Sequence, residues 1–140
     1  MHSFSSRVVI ITGGGAGIGR AAALKFATQG DQVIVTGRRP DPLHALAEEH
    51  RNIGFVIADA GNPEDAARTV REVTHRFGRL DVIVNNAGAG SLLPLAEATS
   101  LQIAHIFSVN VVGPSLLAGA ALEELKASRG CIINVSSTYG

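Results

Sequence analysis

The segment Thr12-Gly13-Gly14-Gly15-Ala16-Gly17-Ile18-Gly19 combines two properties that suit a phosphate-bearing ligand. Glycines let the backbone take positive φ and approach a ligand with no Cβ in the way. The amides and dipole at the start of a following helix attract negative charge. The chemistry indicated is the cradling of a pyrophosphate. A bare strand-to-helix turn could also use glycine, but three consecutive glycines and two more within the turn exceed what such a connection needs. The spacing fits neither G-x-G-x-x-G nor the Walker pattern, in which Lys-Ser or Lys-Thr would follow.

Other short clusters carry groups able to bind or polarise. Arg38 and Arg39 follow the apolar run that begins at Val33, and a guanidinium can grip a phosphate through paired hydrogen bonds. Asp59-Ala60 offers a carboxylate that a turn cap would use equally well. In Asn85-Asn86-Ala87-Gly88, side-chain amides can satisfy loose backbone groups where a sheet ends, and small residues leave room for a ribose and ring. A plain Asn-Gly-type turn is the bland alternative there. Asn110 is a polar break in an apolar helix, and Ser136-Ser137 closes the last apolar run.

The elements that must position these groups alternate. Short β-branched runs at 8–12, 32–36, 53–57, 81–85 and 131–136 read as strands, apolar on both faces as a helix-covered parallel sheet requires. Between them, Ile18, Ala22 and Phe26 are expected to line one face of a first helix that stops at Gly30. Asn62-Pro63 opens another, with a capping side chain and proline at the first helical position. From 100 to about 127 a long, mostly apolar helix is expected to be buried against something large. Residues 1–140 form one domain, with no internal repeat, low-complexity tract or linker.

Composition narrows the function classes. Twelve Lys plus Arg balance twelve Asp plus Glu, which argues against a nucleic-acid or basic membrane-seeking surface. No segment reads as a signal peptide or membrane span, and a cytoplasmic setting is expected. The single cysteine, Cys131, is expected in the core. The five histidines are scattered without ligand spacing, so no metal site is expected.

In this order the motifs resemble the fingerprint of the short-chain dehydrogenase/reductase family over the whole chain. The glycine turn matches its T-G-x-x-x-G-x-G, Asn85-Asn86-Ala87-Gly88 its N-N-A-G, Asp59-Ala60 its D-V pair and Val109-Asn110 its V-N. The resemblance implies an α/β fold, a Rossmann-type doubly wound parallel sheet with helices on both faces. It also implies hydride transfer between NADP(H) and a small-molecule carbonyl or alcohol. Gly13, Gly14, Gly15, Ala16, Gly17, Ile18 and Gly19 would seat the pyrophosphate, Asp59 and Ala60 the adenine, and Asn86, Ala87 and Gly88 the ribose region. By the same resemblance the acidic position that marks NAD enzymes falls at Gly37, which has no carboxylate, and Arg38 and Arg39 follow it. NADP(H) is therefore preferred over NAD(H).

The resemblance also selects Ser137, which precedes two variable residues and a glycine, to polarise the substrate carbonyl, and Asn110 to help hold a water in the proton relay. The family's general acid, a tyrosine in Y-x-x-x-K, has no counterpart: Tyr139, two residues after Ser137, has no lysine four residues on. The expectation is an amino-terminal portion whose carboxy-terminal part is missing, leaving the long apolar helix exposed, and an assembly into homo-oligomers when complete. A catalytically inactive NADP(H)-binding fragment or sensor module is the competing expectation.

Overall fold

The β-branched runs become the strands of one parallel sheet: β1 (Val8–Thr12), β2 (Gln32–Gly37), β3 (Ile53–Ile57), β4 (Val82–Asn85) and β5 (Cys131–Asn134). The structure is a computed structural model and describes residues 6–137. Strand order is β3-β2-β1-β4-β5, with every neighbouring pair parallel. The chain starts at the centre, winds outward to β3, then returns to β4 on the other side of β1. The carboxyl ends of β1 and β4 therefore flank the point where winding reverses, which is where open α/β sheets form a ligand crevice.

Helices α1 (Gly17–Thr28), α2 (Pro40–Glu49) and α3 (Pro63–Phe77) provide the crossovers. Alternate residues of β1 feed two separate cores. Val9 and Ile11 pack with Ala23, Ala27, Leu43 and Leu46 of α1 and α2. Val8 and Ile10 pack with Val70 and Val73 of α3 and with Leu117 and Leu125 from the later helices. Both faces are thus covered by helices, and near-continuous apolar strands are the sequence consequence. Helix α3 starts as expected: the Asn62 side chain accepts from the amides of Glu64 (2.9 Å) and Asp65 (3.4 Å), with Pro63 at the first position. Gly30 follows the end of α1 with φ of +96°.

Three sequence expectations change. The inward face of α1 consists of Gly19, Ala23 and Ala27, with Ala22 and Phe26 only flanking it, while Ile18 is 68% exposed. The close approach of α1 to the sheet selects small residues for the contact stripe. Cys131 is exposed, because β5 has a described strand on one side only and all four of its residues are exposed. The long helix is divided into α4 (Ser100–Phe107), a π-helical turn (Ser108–Val112), α5 (Gly113–Ala120) and α6 (Leu122–Ser128). Only Val109, Gly113, Leu117, Ala121 and Leu125 of this stretch are buried, whereas Leu101 is 81% and Phe107 58% exposed. Its apolar surface is therefore wider than the stripe that the sheet covers. Contrary to the sequence expectation, the run Ser100–Ala120 is long and apolar enough to cross a membrane by length and composition. Within that run Leu117 joins the core formed by β1 and α3, and Gly113 lies against the loop after β3.

At the amino end of the sheet, away from the crevice, Asp81 accepts from the Val8 amide (2.8 Å) and pairs with Arg79 (2.5 Å). Burial pushes the Asp81 carboxyl up, but Arg79, the Val8 amide and Arg7 outweigh it and hold it below the usual carboxylate range. Arg7 in turn pairs with Asp31 at 2.7 Å. These contacts fix the start of β1 and so the level at which its far end meets β4.

Candidate functional site

The ends of β1 and β4 are latched side by side. The Thr12 hydroxyl accepts from the amides of Asn86 and Ala87, both at 3.1 Å. In return the Asn86 side-chain amide donates to the carbonyls of Thr12 and Gly13, both at 3.1 Å. Gly13 sits inside the latch with φ of +65°, and a Cβ there would come within 2.9 Å of Ala87 Cα. Only glycine meets both the dihedral and the clearance. A further bond, from the Gly14 amide to the Thr36 carbonyl (3.1 Å), ties the turn to β2.

Past this latch α1 begins without any anion of its own. Its cap residue Ala16 makes no side-chain bond, and its first turn contains no acidic residue. By contrast, α3 has Asn62 at its cap and Glu64 and Asp65 in its first turn. Helix α1 thus leaves its first amides and positive dipole end for an external anion.

An open cleft of about 730 Å³ runs over this end. That volume lies in the range of small-molecule sites, roughly 300–1,000 Å³. Gly13, Gly15 and Ala16 line it at one wall, Arg38 and Arg39 at the end of β2, Asp59 and Ala60 after β3, and Asn86, Ala87 and Gly88 after β4. The sequence-predicted residues therefore converge from four separate strand ends. The rest of the glycine turn lies apart from this cleft. Gly14 packs on Val35, Gly19 is buried against Asn86, and Gly17 has open space where a side chain would be. Ile18 faces a second opening. A dinucleotide fits this arrangement: an unneutralised helix start stands next to a glycine cradle, with two guanidinium groups at one end.

The loop after β3 is held from several sides. The Asp59 amide donates to Asp65 (2.8 Å), and the Asp59 carboxylate accepts from the Gly61 amide (2.9 Å). Arg68 bonds Asp65 (2.9 Å) and the Ile57 carbonyl (2.7 Å). The Asp59 amide first and Arg68 second hold the Asp65 carboxyl below the usual carboxylate range. Asp65 was not foreseen as a site residue, since from the sequence it is only a first-turn acid of α3.

Asn110 lies in the π-helical turn. Its Oδ1 accepts from the Ala89 amide (2.8 Å) and its Nδ2 donates to the Ala89 carbonyl (2.7 Å). The side chain thus clamps the loop that follows β4. A water beside it can use the second Nδ2–H, the remaining lone pair of Oδ1 or the backbone.

The second opening, about 1,180 Å³, brings Ser136 and Ser137 together with Gly88, Ala89, Asn110 and Ile18. Ser137 thus faces the same loop that Asn110 fixes, and Tyr139 lies outside the described residues. Beneath, Asn85 Nδ2 donates to Asn134 Oδ1 (2.9 Å) across β4 and β5, while the buried Asn85 Oδ1 finds no partner among the described residues. Asp65 and His105, the latter lining the main cleft, are participants outside the motifs, and Thr12, the first residue of the glycine-turn motif, takes part as the acceptor of the latch. The described residues include no cluster able to hold a metal.

A family model described as short chain dehydrogenase matches residues 7–140. L-fucose dehydrogenase of Oryctolagus cuniculus is 36% identical over 138 residues, covering 98% of this chain and 49% of that protein. The crystal structure of a short-chain dehydrogenase from Streptomyces avermitilis superposes with a TM-score of 0.90 at 33% identity, over 96% of this chain and 50% of that one. A metagenomic short-chain oxidoreductase in complex with NADP gives 0.89 at 32% identity, over 94% and 62% respectively. The chain spans about half the length of the curated relatives it matches.

Proposed function

The chain belongs to the short-chain dehydrogenase family, and from that premise we propose that it is the cofactor-binding part of an NADP(H)-dependent oxidoreductase acting on a small carbonyl or alcohol. The single observation that carries this is the convergence of the glycine cradle, Arg38, Asp59 and Asn86 on one cleft beside an α1 start that contains no anion. The start of α1 and Gly13, Gly15 and Ala16 would hold the pyrophosphate, and Asp59 and Ala60 the adenine. Arg38 and Arg39 would grip a 2′-phosphate, where Gly37 supplies no carboxylate to compete for ribose hydroxyls. The solved relative in complex with NADP supports the same choice. When bound, the nicotinamide would supply or accept the hydride.

The chain's own part in the chemistry is to polarise and to position. The Ser137 hydroxyl would donate to the substrate carbonyl oxygen, favouring the charge that develops there. Asn110 would hold the Ala89 loop against which that carbonyl lies. The apolar residues left uncovered on α4 and α5 suit a homo-oligomeric assembly, and a cytoplasmic setting without nucleic-acid or membrane partners accompanies this reading. The test is cofactor choice. Arg38→Ala should weaken NADPH at least about tenfold more than NADH, since a charge-assisted bond is worth about 1.5–3 kcal/mol. Equal weakening of both in a calorimetric titration would remove the 2′-phosphate assignment. Tight NADPH binding with no carbonyl reduction, in a chain that also supplies a Y-x-x-x-K pair, would favour a sensor module instead.

A further inference from the structure

The π-helical turn between α4 and α5 stands between the two loops that line opposite ends of the cleft. On one side Asn110 is bonded to both backbone groups of Ala89. On the other, Gly113 lies so close to the loop after β3 that a Cβ would overlap the Ala60 carbonyl oxygen and stand 2.8 Å from the carbonyl carbon. Gly61 completes the contact, because a Cβ there would approach Ser108 Cβ at 3.3 Å and Val109 Cγ2 at 3.4 Å. Gly113 is buried, so an added methyl has no solvent to escape into.

The geometry points to Gly113 as a positioning residue for the adenine end of the dinucleotide site. Resting on the cofactor assignment above, this goes beyond it, because Gly113 touches neither cleft nor ligand. The turn widens the helix by one residue per hydrogen-bonded ring, and such single-turn insertions recur at functional sites. Here it lets Gly113 and Asn110 address two different loops within one turn. A side chain at 113 must displace the Ala60 peptide. Ala60 is joined to Asp59, whose amide is bound by Asp65 and whose carboxylate is bound by Gly61. The displacement therefore reaches the carboxylate assigned to the adenine, while the cradle and latch, fixed by Thr12 and Asn86, stay in place.

The experiment titrates the purified protein with adenosine 2′,5′-bisphosphate and, separately, with inorganic pyrophosphate, and follows thermal unfolding of each variant. Gly113→Ala is expected to weaken the adenosine ligand about tenfold, the loss of one well-made hydrogen bond, and to leave pyrophosphate within about twofold. A merely destabilising change would lower the unfolding temperature without altering the ratio of the two affinities. Should Gly113→Ala fail to fold, Gly61→Ala makes the milder version of the same push. It should weaken the adenosine ligand, and Ser108→Gly in the same chain should restore it, a coupling expected of groups in contact. Unchanged adenosine affinity in a folded variant, or equal loss of both ligands, overturns the positioning role. If the unaltered protein binds neither ligand, the cofactor assignment itself falls, and this inference with it.

Discussion

Replacing Thr12 with valine tests whether the latch between β1 and β4 builds the cofactor site. Valine keeps the branched shape and removes the hydroxyl that accepts from the Asn86 and Ala87 amides. Each buried amide left without a partner costs about 1–3 kcal/mol. Thr12 is buried, but the two donors are only half-buried and can recover some solvent, so the lower half of that range applies. The expected loss is about 2–4 kcal/mol, a large part of the roughly 5–15 kcal/mol that stabilises a domain of this class. The functional consequence follows from place. Once the two amides turn away, Asn86 loses its register with the Thr12 and Gly13 carbonyls, and the cradle at Gly13 opens. Urea unfolding should show the lower midpoint with an unchanged slope, and NADPH should bind more weakly to the variant under conditions where it is fully folded. Thr12→Ser keeps the acceptor and loses only a methyl group, so it should retain most of both properties. If serine and valine behave alike, or valine costs less than about 0.5 kcal/mol, the hydroxyl is not what joins the strands.

Two further outcomes are expected. Asp65 is held below the usual carboxylate range by the Asp59 amide and Arg68. Its contribution is therefore fully present above the unfolded carboxylate value of about 3.9 and is lost as pH falls through the lower folded value. Denaturation midpoints measured from pH 7 down to about 2 should drop below about pH 4, and Asp65→Asn should start lower and show a flatter profile. A variant profile parallel to the original would refute that assignment. In a chain that also supplies a Y-x-x-x-K pair, Ser137→Ala should leave the NADPH dissociation constant unchanged while lowering carbonyl reduction by about 10²–10³, the usual cost of removing one donor to a developing oxyanion. Loss of cofactor affinity with no separate loss of turnover would count against a polarising role.

The parts of the fold that sequence made legible were those where one residue type satisfies one local requirement. Strand cores at 8–12 and 33–36 were readable because burial on both faces leaves little choice but aliphatic, mostly β-branched side chains. The start of α3 was readable because Asn62 and Pro63 act within their own turn. Arg38, Asp59 and Asn86 could be listed as site residues because they stand immediately after strands, and a parallel sheet brings all such positions to one edge. Cys131 and Ile18 were misplaced for the converse reason. Both are apolar residues whose exposure depends on what stands opposite them in space, and periodicity along one segment says nothing about that.

The π-helical turn shows where this legibility ends. From 100 to 127 the apolar spacing gives one uninterrupted helix, and Asn110 appears as a defect in it. The structure makes the defect the point of attachment: the extra residue in the turn directs Asn110 to Ala89 while Gly113 meets Ala60, two partners 21 and 53 positions away in the chain. Neither contact leaves a local signature, because each is a fit between backbone of one element and a side chain, or its absence, on another. The same holds for Thr12, whose hydroxyl in sequence is merely the residue before a glycine run and in space is the acceptor for two amides more than seventy positions later. Motifs thus reveal the surfaces that meet a ligand, whereas the contacts that hold those surfaces in register are fixed by tertiary packing. Substitutions at Thr12, Asp65 and Gly113 should therefore alter cofactor affinity even though none of the three lines the main cleft.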